Sequence, residues 1–443
     1  MKKNVRRKIM ETFNDYSRID NLLKHVRQNN PYFAQEIYNK APDISWEEFY
    51  DSLPVLNKAD IYAGLESYLT NDFTENMKKI KNMKSYFTEV KELSSNHDRI
   101  VRDDYGTEWI LETTTGSTGK PFTVLKNANE KMLESQVLFM LRKQHFSKVS
   151  VRNGFLLLQP IDPYLKSISY RGNTDKNMDL VFEHLMRVKP KWILATALLI
   201  RKLHNYIIKN NFQGIVRKLN LEFIETTSQF IDEDEKKEIE NTFGTKLVNQ
   251  FGCREVWNIA YECPCGNMHI NSKYLLLDIV DENGKIIREE NKVGNVIFTS
   301  LIHKSFPFIK YYLGDRARIE YKKCGCGSKH TIIHFEEGRR KDQLINTTYY
   351  GTTIFRKIMR YIYFKCENIG VKNVSIIQDG DFHITVYVNL KNTEKLNDFI
   401  KEFLKTTYFL ANELRSFGFE FVLSPELKEN DKVLKHEIFT NIL

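Results

Sequence analysis

Apolar and polar positions follow two different rhythms along this chain, and the rhythm changes near residue 108. Before that point, "IDNLLKHVRQNNPYFAQEIYN" places apolar residues three and four positions apart, which is the period of an amphipathic helix. "SWEEFYDSL" follows, with Ser45 as the expected helix N-cap. Residues 1–107 are therefore predicted to form the helical start of a larger domain.

Short apolar runs alternate with helical segments from residue 108 onwards. "FLLLQP", "LEFIETT" and "KLVNQFG" are typical of strands, and "DEDEKKEIENTF" between the last two is typical of a helix. Such alternation predicts a largely parallel α/β sheet. Between residues 273 and 335 the runs include the hairpin signal Asn283-Gly284, so an antiparallel region is predicted there.

The charged stretch "EEGRRKDQL" at 336–344 interrupts the apolar pattern. Beyond it come "VSIIQ", a "DGD" turn, "HITVYVNL", a long helix from Thr393 to about Leu414 and the strand "FEFVL". The predicted fold class is α/β: a large N-terminal domain with mainly parallel sheets plus an antiparallel β region, and a small α+β C-terminal domain.

Composition agrees with this division. A chain of 443 residues is too long for one ordinary core, and a 42% hydrophobic share supports globular packing. No run approaches the roughly 18 apolar residues that a membrane span requires. The basic start "MKKNVRRKIM" lacks the apolar stretch of a signal peptide, so a cytoplasmic protein is predicted.

The formal net charge of +9 arises from 66 basic and 57 acidic residues that intermingle along the chain. A groove for nucleic acid usually interleaves its basic residues with aromatic platforms, and no such pattern is evident. Nucleic acid is therefore not an expected partner, whereas anionic small molecules fit the charge balance.

The stretch "TTTGSTGKP" at 113–121 lies between "EWILE" and "FTVLK", two predicted strands. It is not a Walker A loop, because only two residues separate Gly116 from Gly119 and Pro121 follows Lys120. Glycine-rich backbone N–H groups, hydroxyls and an ammonium can still hold phosphate as an anion nest. Taken alone, the stretch predicts either a phosphate loop or a polar hairpin turn.

Cysteine and histidine cluster in two places along the chain. Without a secretion signal, six cysteines indicate thiols or a metal site rather than disulfides. Cys263, His269, Cys324 and Cys326 can supply four ligands to a tetrahedral structural zinc ion, with Cys265 as a substitute. Reduced surface thiols are the alternative.

Four motifs, taken in order, resemble those of the adenylate-forming (acyl-CoA synthetase-like) enzymes. "TTTGSTGKP" is similar to their phosphate-loop signature, and "NQFGCREVWNIAYEC" at 249–263 to their Tyr-Gly-x-x-Glu segment. "FIKYYLGDRARI" at 308–319 is similar to their Tyr-x-x-Gly-Asp segment, and "GRRKDQLI" at 338–345 to their Gly-Arg hinge segment. The early "LLKHVRQNNPYFAQ" and "LPVLNKADI" resemble the branch that contains phenylacetate–CoA ligases and CapK-type capsule biosynthesis proteins.

The resemblance implies an ATP-dependent ligase. A carboxylic acid would attack the α-phosphorus of ATP, giving an acyl-adenylate and pyrophosphate, and the acyl group would then pass to CoA or an amine. Surface polysaccharide or aryl-acid metabolism is the implied context, and the protein is expected to be a monomer or homodimer. The implied domains are a helical part at 1–107, a nucleotide- and acyl-binding core at 108–337, a hinge at 338–341 and a C-terminal lid at 342–443.

The resemblance also implies roles for individual residues. Glu255 would bind Mg²⁺, Asp315 would bind the ribose hydroxyls, and Arg339 would contact ribose or phosphate. Lys341 falls in the hinge, and Lys432, with Lys435 in reserve, matches the adenylation lysine. The β- and γ-phosphates would be held by Thr114, Thr115, Gly116, Ser117, Thr118, Gly119 and Lys120, of which Lys120 also serves catalysis.

Several positions depart from the family pattern. Asp431 replaces the usual Gly, Arg254 replaces Thr or Ser, and Ser228 and Gln229 replace residues beside the adenine. Asp431 and Gln229 favour an alternative, a catalytically weakened nucleotide-binding protein. The alternative for Glu255 is a surface pair with Arg254.

The acyl pocket is expected to draw its walls from "FLLLQPIDPY", "ILATALL" and "NQFGCREVWNIAYE". Phe251, Trp257 and Tyr261 would suit an aryl or apolar acid, and packing in the core is the alternative for each.

Overall fold

The structure, a computed structural model, divides into two compact units, and each is considered by itself. The first comprises Met1–Leu313 and Ala317–His334, and the second Gly314–Arg316 and Phe335–Leu443. The described residues are 15–39, 44–76, 99–102, 105–113, 122–157, 175–227, 231, 233–328, 331–339, 344–347, 349, 351–427 and 439–441.

The described residues of the N-terminal part are mainly helical up to Asn76, as predicted, but the strand at Arg99–Arg102 falls inside the stretch 1–107 that was predicted to be helical. Its helices are α1 (Ile19–Asn29), α2 (Glu36–Asn39), α3 (Trp46–Ser52), α4 (Lys58–Ala63), α5 (Leu65–Tyr68) and α6 (Asn71–Asn76). The predicted N-cap is confirmed: the Ser45 side chain accepts from the Glu48 backbone N–H, and the Glu48 carboxylate accepts from the Ser45 backbone N–H. This reciprocal capping satisfies two N–H groups that the first helical turn leaves without partners.

An antiparallel three-stranded sheet follows, formed by β1 (Arg99–Arg102), β2 (Glu108–Thr113) and β3 (Thr123–Asn127). The predicted strands on either side of residues 114–121 are therefore confirmed. Thr113 and Thr123 are paired at the end of this hairpin, with their hydroxyl oxygens 3.0 Å apart. Both ends of the candidate phosphate loop are thus held at neighbouring positions.

A second sheet has the strand order β10-β11-β12-β13-β9-β8-β7-β6-β5-β4 among the described residues. Its strands are β4 (Gly154–Leu157), β5 (Trp192–Thr196), β6 (Phe223–Thr227), β7 (Leu247–Phe251), β8 (Ala260–Glu262), β9 (Met268–Ile270), β10 (Leu275–Val280), β11 (Gly294–Ser300), β12 (Tyr311–Glu320) and β13 (Ile332–Arg339). The accompanying helices are α7 (Ala128–Arg142), α8 (Asp175–Val188), α9 (Ala197–Lys209), α10 (Gln213–Val216) and α11 (Glu233–Phe243). Strands β4 to β7 are parallel and β10–β11 is antiparallel, as the sequence predicts. The antiparallel part also includes β7–β8 and β8–β9, which lie before the predicted antiparallel region at 273–335.

Both faces of the parallel strands are buried, which explains their continuous apolar runs. Alternate residues such as Ile193 and Ile224 pack with the apolar residues of α8, α9 and α11. Trp192 and Phe223 point the other way and stack with ring centroids 5.6 Å apart. The predicted turn after β10 is also present, because Gly284 has φ +76° and Val280 pairs with Ile286.

The second unit contains α12 (Gly351–Lys365), β14 (Val371–Gly380), β15 (His383–Leu390), α13 (Leu396–Leu410), β16 (Gly418–Leu423) and β17 (Phe439–Asn441). Its sheet has the order β16-β15-β14-β17. The predicted continuous helix from Thr393 to about Leu414 is wrong: α13 ends at Leu410, because Ala411 has non-helical dihedrals, and a short 3₁₀ helix follows. Among the described residues, no helix is both long and apolar enough to cross a membrane.

Candidate functional site

Glu255 lies in a turn at 252–258, directly after β7. It is 1% exposed, and its Oε1 accepts a hydrogen bond of 2.9 Å from the hydroxyl of Tyr311. The ammonium of Lys58 lies 3.2 Å from the same oxygen. Burial raises the pKa of Glu255, but Lys58, the Cys253 thiol, Tyr311 and backbone N–H groups lower it more, so the net pKa lies below the ordinary value.

The conformation of this turn is fixed by close packing. A Cβ on Gly252 would lie 1.8 Å from the carbonyl oxygen of Trp257, so only glycine fits there. The Trp257 N–H donates to the carbonyl of Cys253 at 2.7 Å, and the Gln250 side-chain amide donates to the Trp257 carbonyl. Glu255 is therefore a buried, ionised carboxylate on a rigid turn, and the predicted alternative of a surface pair with Arg254 is wrong.

Lys58 was not among the predicted site residues. It is the first residue of α4, its side chain is 41% exposed, and its ammonium lies 5.6 Å from the centre of the Phe122 ring. The sequence offered one signal for it, its place in "LPVLNKADI", the segment similar to the phenylacetate–CoA ligase branch.

The aromatic residues predicted for the acyl pocket lie in different surroundings. Tyr261 belongs to the core, where it packs with Trp192 and donates from its hydroxyl to Glu225 at 2.8 Å. Trp257 is half-buried, and its indole N–H donates to Glu112 at 3.0 Å. Phe251 is half-buried at the end of β7. Core packing, the alternative considered for each, therefore holds for Tyr261.

Most of the other residues that the family pattern singled out lie outside the described part of the chain. These are Thr114, Thr115, Gly116, Ser117, Thr118, Gly119, Lys120, Ser228, Gln229, Lys341, Asp431, Lys432 and Lys435. Asp315 is half-buried on β12, the strand that also carries Tyr311, and Arg339 is the last residue of β13. Their predicted roles remain predictions.

A second cluster combines cysteine and histidine. One ligand atom each from Cys263, His269, Cys324 and Cys326 lies within 4.8 Å of the other three, and Cys265 is exposed and outside this group. The two sulfur atoms of Cys263 and Cys324 are 3.7 Å apart, and Cys326 Sγ lies 3.4 Å from His269 Nε2. In a tetrahedral zinc site with Zn–S bonds of about 2.3 Å, neighbouring sulfur ligands lie about 3.8 Å apart.

The surroundings of Cys324 favour its thiolate, whereas burial raises the pKa of Cys263 to about 12. The Asn267 side-chain amide donates to Cys324 Sγ at 3.1 Å, and the Ser328 backbone N–H donates to Cys326 Sγ at 3.4 Å. Burial raises the pKa of Cys324, but hydrogen bonds from N–H donors and from His269 lower it by a larger amount. The net result is a pKa of about 6. The donor set and its spacing therefore fit a structural zinc ion.

Comparison with known proteins gives one relative by sequence and several by structure. No family model matches the chain. Over 132 residues, the chain is 28% identical to a phenylacetate-coenzyme A ligase from Thermus thermophilus. That match spans 29% of this chain and 30% of the relative, so it covers less than a third of either protein.

The structural neighbours cover nearly the whole chain. A 2-hydroxyisobutyryl-CoA ligase in the postadenylation state, in complex with 2-HIB-AMP, matches with a TM-score of 0.65 and 12% identity, over 96% of this chain and 88% of that chain. The same ligase with 2-HIB-AMP and CoA in the thioesterification state matches with a TM-score of 0.56 and 13% identity, over 99% and 90% of the two chains. At such identities the likeness shows the fold, and it confirms the predicted α/β fold class. The predicted resemblance to the adenylate-forming enzymes, in their phenylacetate–CoA ligase-like branch, is confirmed by these matches together.

Proposed function

We propose that this chain, with the fold of an adenylate-forming ligase, activates a carboxylic acid with ATP and transfers the acyl group to CoA. The observation that carries the proposal is Glu255: a buried, ionised carboxylate on a rigid turn, at the position that matches the family's Mg²⁺-binding residue. CoA is the favoured acceptor because the relative and the structural neighbours are named as CoA ligases. The finer alternatives are an amine acceptor, which the acceptor assay below tests, and a capsule-related context, to which the sugar acids of the exchange panel are relevant.

The surroundings of Glu255 fit a divalent cation. A cationic group, the Lys58 ammonium, already lies 3.2 Å from Oε1, and the site keeps the carboxylate ionised. Mg²⁺ bound here would supply positive charge to the phosphates of ATP. Tyr311 would hold the carboxylate in place.

The chemistry of the chain itself is mainly positioning. Two anions, a carboxylate and the α-phosphate, must approach in line, so cationic and N–H groups must offset their charges. Thr114 to Lys120 would hold the departing pyrophosphate, Asp315 and Arg339 would orient the ribose, and Lys432 would contact the carboxylate and the α-phosphate. The paired strands β2 and β3 support this assignment because they hold both ends of the loop.

The decisive experiment is ATP–pyrophosphate exchange with a panel of aryl, fatty, hydroxy and sugar acids. Exchange that depends on one acid class supports the proposal. ATP binding without exchange for any acid would contradict it and favour the weakened nucleotide-binding protein. With the active acid in hand, CoA thioester and amide formation are measured separately, and the faster product identifies the acceptor.

We also propose that Cys263, His269, Cys324 and Cys326 bind one structural Zn²⁺. The ion would join the strands β8 and β9 to the turn between β12 and β13, and it has no role in the chemistry. Metal analysis of the purified protein tests this: about one equivalent of zinc supports the site. Less than about half an equivalent, in protein that is folded, would contradict it.

A further inference from the structure

We propose that Lys126, Glu112 and Trp257 are positioning residues that fix Glu255 relative to β2 and β3, the hairpin strands on either side of the candidate phosphate loop. The inference rests on the proposed function, because it assigns these residues to the Mg²⁺–ATP site of that reaction. All three lie in the first compact unit, and none of them was predicted to act on the nucleotide.

Lys126 connects three separate segments. It is fully buried on β3, three residues beyond the Thr113–Thr123 pair at the loop end of the hairpin, and its ammonium donates to Glu112 at 2.8 Å and to Glu134 at 2.6 Å. Its third hydrogen bond, of 2.9 Å, goes to the backbone carbonyl of Arg254, the residue before Glu255. Because an ammonium has three donors, Lys126 is saturated by β2, α7 and the turn at 252–258.

Trp257 forms a second connection on the other side of Glu255. Its indole N–H donates to the same Oε2 of Glu112 that accepts from Lys126. The Lys131 ammonium lies over the indole ring, 3.1 Å from the centroid, and forms an ion pair with the other oxygen of Glu112. Hydrogen bonds therefore join the turn to the hairpin on both sides of Glu255, at Arg254 and at Trp257.

Stability alone does not explain this cluster. The cluster buries two carboxylates together with two ammonium groups, those of Glu112, Glu134, Lys126 and Lys131. Apolar residues of similar size can often replace such buried ion pairs at no cost in stability. Buried ionic networks do fix geometry, because each partner has a defined direction. This one joins the hairpin β2–β3 to the turn that carries Glu255, which indicates what it fixes.

The backbone of Trp257 supports the same inference. Its φ is +45°, a left-handed conformation that is unfavourable for a bulky side chain and that persists where the surroundings impose it. The hydrogen bond to Glu112 and the Lys131 ammonium hold the indole, and the Gln250 amide holds the carbonyl. The strained residue lies two positions after Glu255, where it defines the end of the turn.

Calorimetric titration with ATP, once with Mg²⁺ and once with EDTA, separates positioning from stability. Trp257→Phe removes the indole N–H but keeps a ring under Lys131. Since Glu255 acts on the nucleotide through the metal, we expect the Kd for Mg²⁺–ATP to rise about tenfold and the Kd in EDTA to change less than about twofold. Lys126→Met should give a larger effect of the same kind.

Arg201→Met is the matched control. The Arg201 guanidinium forms a comparable two-bond pair with Glu235, at 2.6 and 2.8 Å, between α9 and α11 and apart from the turn and hairpin. The Arg201→Met substitution should lower the melting temperature. It should leave the ratio of the Kd for ATP with Mg²⁺ to the Kd for ATP in EDTA unchanged.

The outcomes separate the inference from the proposed function. A wild-type protein that binds no ATP overturns the proposed function and this inference with it. Mg²⁺-dependent ATP binding that is equal in wild type and Trp257→Phe overturns the inference alone. Trp257→Phe decides the matter even if Lys126→Met does not fold.

Discussion

The hydrogen bond from Tyr311 to Glu255 gives the sharpest quantitative test of the site. Tyr311→Phe removes one hydroxyl oxygen from a fully buried position and leaves the ring, which packs against Phe308 and Phe298. Glu255 loses a 2.9 Å hydrogen bond but remains buried beside Lys58. The perturbation is therefore confined to the stabilisation of one ionised carboxylate.

The magnitude follows from the charge of the acceptor. A hydrogen bond to a charged group contributes about 1.5–3 kcal/mol, so the free energy of unfolding at pH 7 should fall by about that amount. Where the same carboxylate binds Mg²⁺, loss of the hydroxyl that holds its orientation should also raise the half-saturating Mg²⁺ concentration for exchange.

The effect should depend on pH. The pKa of Glu255 lies below its ordinary value in the folded protein, so its contribution to stability is present above the unfolded-state pKa and is lost as pH falls through the folded-state pKa. Without the Tyr311 hydroxyl the folded-state pKa rises, and the loss begins at a higher pH. The difference between variant and wild type should therefore shrink as pH falls from 7 towards about 4.

Tyr50→Phe is the control for this experiment. Tyr50 is equally buried, but its hydroxyl pairs at 2.8 Å with the neutral hydroxyl of Thr299, which also accepts from the Lys310 backbone N–H. Denaturant unfolding should show a loss of only about 0.5–1.5 kcal/mol at every pH, with no change in Mg²⁺ dependence. Equal losses for Tyr311→Phe at pH 7 and pH 4 would refute the argument from the ionised carboxylate.

Four further results are expected. Glu255→Gln should lower acid-dependent exchange by about 100-fold or more while the protein stays folded, and a smaller loss would argue against a metal ligand. Lys432→Ala should abolish exchange, and undiminished exchange would rule out its adenylation role. Cys324→Ser should release zinc and lower the melting temperature, whereas the same change at the exposed Cys265 should do neither, as metal analysis and thermal unfolding will show. Burial raises the pKa of Asp278 to about 6, so its charge increasingly destabilises the fold as pH rises from about 4 to about 6. The free energy of unfolding of Asp278→Asn, measured with denaturant, should therefore rise relative to wild type by about 1–3 kcal/mol over that pH range.

Local patterns predicted the fold well because local physics determines them. The Ser45 cap, the strands on both sides of the candidate loop and the parallel strands β4 to β7 depend on short segments whose burial and hydrogen bonding repeat with a fixed period. The error at Ala411 has the opposite origin, since apolar spacing continues past Leu410 while the backbone leaves the helix. Periodicity alone does not locate such a break.

The candidate site was only partly predictable, because its decisive contacts join distant segments. The family-like motif identified Glu255, but Lys58 and Tyr311 reach it from far along the chain in either direction. Likewise, nothing local distinguishes Tyr261, which packs in the core, from Trp257, which meets Glu112. The proximity of the four zinc candidates was predictable, because cysteine and histidine are uncommon and their shared ligand chemistry stands out even when the residues are far apart in the sequence.

The buried charges around Lys126 also constrain how this sequence can diverge during evolution. Glu112, Glu134, Lys126 and Lys131 balance one another, so removal of any one leaves an uncompensated buried charge at a cost of about 3–5 kcal/mol. A whole domain is stable by only about 5–15 kcal/mol, so lineages that pass through such a single change are at a disadvantage. Homologues that retain the fold are thus expected to keep these four residues or to change oppositely charged partners together rather than one at a time. Correlated substitution among the four positions would be the sign of that constraint.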